Sequence, residues 1–281
     1  MLIDLHAHST ASDGTQPPAE VVASAATAGL DVLALTDHDT TAGWGEAAEA
    51  AKNHRIALVR GIEISCQHEG ISIHLLCYLH DPAAPGLLAE LDRSRKGRET
   101  RARLMVELLS KDVPLDWHDV LEHVEPGATI GRPHIADAMV DKGIVVSREQ
   151  AFAEYLNDES VYYVSHYAPD PVLAVRLVGE AGGVAVMAHP FASIRGRVVA
   201  ESVIEAMAAA GMAGLEVHHR DHSGAQVRHG LELAASLGLF VTGSSDYHGD
   251  GKSNQLGENT TDPAVLQRIE ELATGVQVLR P

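Results

Sequence analysis

Long hydrophobic runs are absent from this chain, and so is an N-terminal stretch that is first basic and then apolar. The first absence speaks against a membrane-spanning helix, the second against a secretory signal peptide. Cysteine is nearly missing: Cys66 and Cys77 are the only two, and they form no close C-x-x-C pair. A reduced, cytoplasmic setting is the simplest reading. Positive charge is also short, with 21 Lys and Arg against 39 Asp and Glu, a formal net charge of −18. Such a chain repels nucleic acid and phosphates at long range. An enzyme for anionic substrates would then need local positive charge, from metal ions or clustered arginines. Aromatic residues are few, with three Phe and two Trp. Trp44 and Trp117 could stack on a base, but single aromatics of this kind read as packing residues.

What the chain does have is histidine, 17 in all, and enough apolar residues (45% of 281) for a full core. Its length suits one barrel, or a barrel with an insert. Residues 2–8, LIDLHAH, alternate as a strand does, which puts Asp4, His6 and His8 on one face. PPAEVVASAATAG (17–29) begins with prolines, is rich in alanine and ends in glycine, so it reads as a helix. DVLALT (31–36) is a buried strand that runs into Asp37-His38-Asp39. An alanine-rich helix near 43–53 follows, then strands IALVRGIEIS (56–65) and ISIHLLCYL (71–79). From about 84 to 165 the pattern is helical, opening with the long amphipathic LLAELDRSRKGRETRARLMVELLSK. LDWHDVLEHV, RPHIADAMVDKG and REQAFAEYL suggest three shorter helices. Strand–helix alternation then returns, with strands GVAVMAH (183–189), AGLEVHH (213–219) and LFVTGSSDYH (239–248). The expected architecture is α/β, a mostly parallel sheet or barrel from 1–83 and 166–281, with 84–165 as a helical insert. No internal repeat or low-complexity linker is present.

The chemistry sits at the strand ends. His6 and His8 close the first strand, with Asp13 just beyond. His38 follows the second, Glu63 the third, and His74 lies in the next. His189 ends the strand after the insert, and Asp246 and His248 end the last. These six histidines and three carboxylates fall at the strand ends where parallel α/β folds build their sites. Imidazole and carboxylate without thiolate suit Zn²⁺, Mn²⁺ or Fe²⁺. Nine ligands exceed one ion, so two or three divalent ions sharing a bridging carboxylate are expected. Ions roughly 3.5–4 Å apart in such clusters activate water and clamp a phosphoryl group.

With DLHAHS (4–9), SDG (12–14), TDHD (36–39), GIEIS (61–65), IHLLCY (73–78), AHP (188–190) and SDYHG (245–249) in this order, the chain resembles the PHP (polymerase and histidinol phosphatase) family. The insert with GRPHIA (131–136) resembles a subgroup of stand-alone phosphoesterases, which includes nucleoside 3′,5′-bisphosphate phosphatases and 5′→3′ exoribonucleases. The resemblance implies a distorted (β/α)₇ barrel with a trinuclear centre. His6, His8, Glu63 and Asp246 would hold one ion. Glu63 would bridge to a second, completed by His74 and His189, and Asp13, His38 and His248 would hold the third. Arg132 and His134 would bind phosphate over the ions, and His222 would lie near the leaving group. Arg195 and Arg197 are candidates for a second phosphate.

The basic run DRSRKGRETRAR (92–103) could steer RNA, but reads first as a solvated helix face. His54, His68, His80 and His118 show no pattern and read as surface residues. The expected function is a metal-dependent phosphoesterase acting on a small nucleotide, preferably a nucleoside 3′,5′-bisphosphate that loses its 3′-phosphate. The alternatives are a 5′→3′ exonuclease on short RNA, a phosphatase or cyclic phosphodiesterase of another small ester such as histidinol phosphate, and a non-catalytic partner-binding module. No membrane and no obligate protein partner are expected.

Overall fold

A computed structural model describes all residues 1–281. Seven strands form one sheet in sequence order: β1 (Ile3–Asp4), β2 (Val32–Leu35), β3 (Ala57–His68), β4 (Ile71–Tyr78), β5 (Val184–Met187), β6 (Gly214–His218) and β7 (Phe240–Gly243). The two edges meet where His8 N donates to Tyr247 O at 2.8 Å and Thr261 N to Ile3 O at 2.9 Å, which curls the sheet into a nearly closed barrel. No helix is long and apolar enough to cross a membrane.

Side chains alternate across each strand, and the sheet sorts them accordingly. Ile3, Ala34, Val59, Leu76, Tyr78 and Val186 fill the interior. Leu33, Leu35 and Leu58 face outward onto α1 (Pro18–Thr27) and α2 (Trp44–His54). Ile62, Leu75, Met187, Leu215 and Val217 pack with residues of α7 (Pro171–Glu180), α8 (Glu201–Ala209) and α9 (Gly224–Leu237). Helix α10 (Pro263–Leu272) adds Leu266 and Ile269 to the interior cluster, next to the strand N-termini. Local sequence sets these helix ends. Prolines open α1, α7 and α10, where no amide partner is needed. Ser223 and Gln226 form a capping box on α9, and Gly238 ends it in the left-handed region.

Two features differ from the expected barrel. The first strand is short, because the chain leaves the ladder after Asp4. The Asp4 carboxylate accepts from the backbone N–H groups of Ser245 and Gly257 at 3.0 and 2.9 Å, tying the loop after β7 beneath the residues that follow. The second difference is β4, which is antiparallel to both neighbours. Glu69 and Gly70, both at positive φ, make the tight hairpin turn that reverses the chain. His74 therefore lies in the first half of its strand, opposite Ser65, and not past a C-terminal end. The reversal still brings it to the same mouth of the barrel as the ends of the parallel strands.

Between β4 and β5 the chain forms α3 (Pro85–Leu109), α4 (Trp117–Leu121), α5 (Arg132–Asp141) and α6 (Arg148–Ala151), followed by a π-helical turn at Phe152–Leu156. Met105, Leu109, Ile135, Met139 and Leu156 form a core of their own there. This segment touches the mouth of the barrel through polar bonds. Thr129 N donates to Ala11 O at 3.0 Å, and Arg148 Nη1 to Asp13 O at 3.1 Å.

Trp44 and His80 correct or settle two sequence expectations. Trp44 is buried, with its indole N–H on Gly61 O at 2.9 Å, so it packs and has no free face for a base. His80 is not a surface residue: it is buried edge-on against Trp44. Neither of its ring nitrogens has a hydrogen-bond partner, and burial pushes its pKa down to about 4.

Candidate metal centre

The loop after β1 is shaped by one carboxylate. Asp37 accepts from Ser9 N, Ser9 Oγ and Ser12 Oγ, each at 2.7 Å, and so folds HSTASDG back on itself. Gly14 closes that turn, where a Cβ would lie 2.6 Å from His8 O. The fold-back delivers Asp13 to His8 and His248. Its Oδ1 lies 3.5 Å from His8 Nδ1 and 3.4 Å from His248 Nε2, while its Oδ2 is 3.7 Å from His38 Nε2.

Glu63 lies at the centre, buried on β3, and its two oxygens face different partners. Oε1 is 2.8 Å from His74 Nδ1 and 3.3 Å from His189 Nε2. Oε2 is 3.3 Å from His6 Nε2, 3.1 Å from His8 Nε2 and 3.3 Å from His38 Nδ1. Asp246 Oδ1 adds a third carboxylate, 3.4 Å from His6 Nε2 and 3.5 Å from both His8 Nε2 and His248 Nδ1. His189 and Asp246 both hold positive φ, a conformation uncommon for non-glycine residues and recurrent at functional sites as well as at turns and helix caps.

These atoms fit divalent ions better than they fit one another. His38 Nδ1 and His74 Nδ1 are buried and face carboxylate oxygens, yet neither is in hydrogen-bonding geometry. His6 Nε2 and His8 Nε2 approach to 3.0 Å. That spacing matches two ligands at right angles on one ion with bonds of about 2.1 Å. Three groups of converging donors result: His6, His8 and Glu63; His38, Glu63 and His74; and His8, Asp13, His38 and His248. The division differs in detail from the set implied by family resemblance: His8 and His38 each reach two groups, and His189 and Asp246 belong to none, His189 meeting the cluster at Glu63 Oε1 and Asp246 at His6, His8 and His248. All nine expected ligands are brought together at one end of the barrel.

The charges ask for cations as well. Burial would raise the Glu63 carboxyl, but His74, His6 and His38 hold it well below the usual range. Burial would likewise lower His6, but Glu63, Glu216 and Asp246 hold it well above its ordinary value. A positive charge, proton or metal, thus belongs among these carboxylates, and metal binding would displace protons.

Sequence reasoning missed the groups that hold the ligands. Glu216, fully buried on β6, lies behind two of them. Its Oε1 accepts from His6 Nδ1 at 3.0 Å and from Ser244 Oγ, and its Oε2 accepts from His189 N at 2.8 Å. Such a carboxylate fixes the tautomer and aim of a ligating imidazole. The signal was available: a charge inside an apolar strand must be paired when buried. Lys252 Nζ reaches Asp246 Oδ2 at 2.9 Å.

The expected substrate residues divide. His134 is buried in α5, and its Nδ1 accepts from Gly131 N at 3.0 Å, which leaves an Nε2–H; Asp13 is among the charges acting on it. Arg132 is engaged by Asp158 Oδ1 at 2.5 Å and Leu156 O at 2.8 Å. Arg195 bonds Asp246 Oδ2 at 2.7 Å and Asp221 Oδ2 at 2.5 Å, so it meets a ligand carboxylate directly. Arg197, in the segment after β5, points away to the hairpin turn and donates to Gly70 O.

His222, expected near the leaving oxygen, is held by main-chain groups. Its Nδ1 donates to Val217 O at 2.8 Å and its Nε2 accepts from Phe191 N at 3.2 Å, which occupies both nitrogens. His219 takes the inward place. Its Nδ1 accepts from Asp221 N at 3.1 Å, and its buried Nε2, without a partner, lies 3.6 Å from Asp246 Oδ2. The basic run of α3 also splits by face: Lys96 and Arg103 pair with Asp92 and Glu99 on the outside, whereas Arg98 and Arg101 are buried.

The chain is similar to known proteins over nearly its whole length. Residues 4–118 match the PHP domain family model. The chain is 35% identical over 280 residues to a 3′,5′-nucleoside bisphosphate phosphatase of Chromobacterium violaceum, covering 99% of this chain and 98% of that one. It is 34% identical to a 5′-3′ exoribonuclease of Haemophilus influenzae, covering 91% and 93%. A crystal structure described as a metal-dependent phosphoesterase from Bifidobacterium adolescentis superposes with a TM-score of 0.94 at 41% identity, covering 97% and 96%.

Proposed function

The chain belongs to the PHP family and is a metal-dependent phosphoesterase; within that class, we propose that it removes the 3′-phosphate of a nucleoside 3′,5′-bisphosphate, leaving the 5′-mononucleotide. The substrate choice is supported by the full-length likeness to the 3′,5′-nucleoside bisphosphate phosphatase, and the metal chemistry by the split carboxylate of Glu63, whose oxygens serve two different sets of imidazoles. A bridging carboxylate of that kind suits two or three divalent ions, Mn²⁺, Fe²⁺ or Zn²⁺, held by His6, His8, Asp13, His38, Glu63, His74, His189, Asp246 and His248. Bound there, such ions supply Lewis-acid stabilisation of phosphate oxygens and acidify the attacking water.

The protein's own residues do the rest. Glu216 and Asp37 keep His6 and the Asp13 loop in place. His134, with Nδ1 taken by Gly131 N, would donate its Nε2–H to a phosphate oxygen. Arg132, between the rings of Phe152 and Tyr163, would exchange Asp158 for phosphate at the cost of one exposed ion pair. His219, rather than His222, would donate to the leaving 3′-oxygen. The segment 84–165 would cap the mouth, fastened by Arg148 on Asp13 O and Arg98 on Asp39, and so limit substrate length. Two buried free thiols suit a reduced, cytoplasmic setting.

A second reading, 5′→3′ trimming of short RNA, is favoured by the likeness to the exoribonuclease. The test is phosphate release by Mn²⁺-loaded protein from adenosine 3′,5′-bisphosphate, 5′-phosphorylated short RNA and histidinol phosphate side by side. Fast release from the bisphosphate alone is expected. A one-nucleotide product ladder from RNA, with the bisphosphate untouched, would replace the first reading by the second.

A further inference from the structure

Arg148 joins the insert to two loops of the metal centre at once. It opens the short helix α6, and its side chain is only 13% exposed. Nε and Nη2 form a bidentate pair with Asp137 of α5, at 2.5 and 2.6 Å. A guanidinium held on two of its nitrogens is fixed in plane and direction. That leaves Nη1 aimed out of the insert, where it donates to the main-chain oxygen of Asp13 at 3.1 Å. The same nitrogen lies against Gly251, so closely that a Cβ there would be 2.2 Å from it. A side chain at residue 251 would therefore push the guanidinium aside.

Both loops carry ligands of one group. The donor atoms of His8, Asp13, His38 and His248 all lie within 4.8 Å of one another. The two loops are stitched together: Thr15 N donates to His248 O at 3.0 Å, and Asp250 N to Thr15 Oγ1 at 2.8 Å. Arg148 adds the insert to this stitching, and Thr129 N on Ala11 O adds a second point. Asp13 stands on a loop and not on a barrel strand, so its aim depends on where the backbone is held. Arg148 takes the main-chain oxygen and leaves both carboxylate oxygens to face the imidazoles of His8, His38 and His248. The insert does not need this contact for its own core, which Ile135, Met139, Val145 and Ala151 help to fill.

We infer that Arg148 is a positioning residue for the metal centre. From the insert it fixes the Asp13 backbone, and so couples the ion held by His8, Asp13, His38 and His248 to the docking of segment 84–165. Coupling of this kind is reciprocal. The ion tightens the insert on the barrel by the same factor as the docked insert tightens the ion. The mouth is thus capped firmly over a filled centre and loosely over an empty one. This rests on the metal-centre reading above and is independent of which phosphate ester is cleaved.

The experiment titrates Mn²⁺ into metal-free wild type, Arg148→Met and Gly251→Ala, and counts bound ions by electron paramagnetic resonance. Hydrogen exchange over residues 129–151 is read by mass spectrometry with and without Mn²⁺. Arg148→Met removes the donor, whereas Gly251→Ala keeps the Asp137 pair and displaces Nη1. Both should weaken one bound ion by about 10-fold or more, the range for a lost partner behind a ligand, and leave the others within about twofold. In Asp13→Ala, which lacks that ion, Arg148→Met should change the remaining ions no further. In wild type Mn²⁺ should slow exchange over 129–151, and both variants should lose most of that slowing. Equal weakening of every ion, or no weakening, overturns the inference. So does a slowing by Mn²⁺ that survives unchanged in both variants, the mark of a merely structural residue. If wild type binds Mn²⁺ with no slowing in the insert, the centre stands and the coupling falls. If wild type binds no Mn²⁺, the metal reading falls and takes the inference with it.

Discussion

Glu216→Gln replaces one oxygen by an amide, yet the structure leaves that amide no comfortable orientation. Glu216 accepts three hydrogens: from His6 Nδ1, from Ser244 Oγ, and from the backbone N–H of His189. With the amide oxygen toward His6 and Ser244, the NH₂ group meets the His189 N–H, a donor against a donor in a fully buried place. With the amide flipped, the NH₂ group faces His6 Nδ1. His6 must then move its proton to Nε2, the nitrogen that lies among His8, Glu63 and Asp246. Either way one buried polar group goes unsatisfied, at about 1–3 kcal/mol. A lost partner behind a ligating histidine typically weakens metal affinity or activity 10- to 100-fold. The expectation is therefore a Mn²⁺ half-saturation raised, or kcat/KM at saturating Mn²⁺ lowered, by about 10- to 100-fold in a protein that still unfolds cooperatively. Mn²⁺ titration of turnover reads both quantities. An unchanged Mn²⁺ requirement and an unchanged rate in folded Glu216→Gln would refute the orienting role of this carboxylate.

Three further outcomes follow from the same geometry. Asp13→Ala or His248→Ala should nearly abolish turnover while far-ultraviolet circular dichroism stays as in wild type; normal activity in either variant would remove it from the ligand set. Chelation should remove activity and lower the melting temperature, and Mn²⁺ at about 100 times its Kd should restore about 2.7 kcal/mol of stability; a melting curve indifferent to metal would contradict a centre built from these buried charges. His80 has a folded pKa of about 4, below its unfolded value of 6.5. The unfolded chain therefore binds the proton first, and stability should fall as pH drops from about 6.5 toward 4, by on the order of 1 kcal/mol per pH unit. Denaturant titrations of wild type and His80→Phe check this, since the variant should lose that part of the acid limb.

The candidate ligands were legible because metal chemistry forces residue type and position together. H-x-H in a strand, a carboxylate at the end of an apolar run and SDYH after another are visible without coordinates. His74 was found for a partly mistaken reason: it is not at a strand's C-terminal end, and only the reversal of β4 at Glu69-Gly70 brings it to the mouth. The groups around the ligands were harder to see. Asp37 and Glu216 act through contacts between distant segments, and nothing local in TDHD or LEVHH says which loop they hold. The choice between His219 and His222 turned on a backbone turn that gives both His222 nitrogens to main-chain groups. Arg98 and Arg101 were hidden inside a basic run that reads as solvated, because the face of α3 that is buried depends on what packs against it.

The most direct test of the whole account is isotopic. Mn²⁺-loaded protein turns over adenosine 3′,5′-bisphosphate in ¹⁸O-labelled water, and mass spectrometry reads both products. Attack of water on the 3′-phosphorus predicts label in the released inorganic phosphate and unlabelled AMP. Label in the nucleotide, or adenosine 3′-monophosphate as the product, would contradict it.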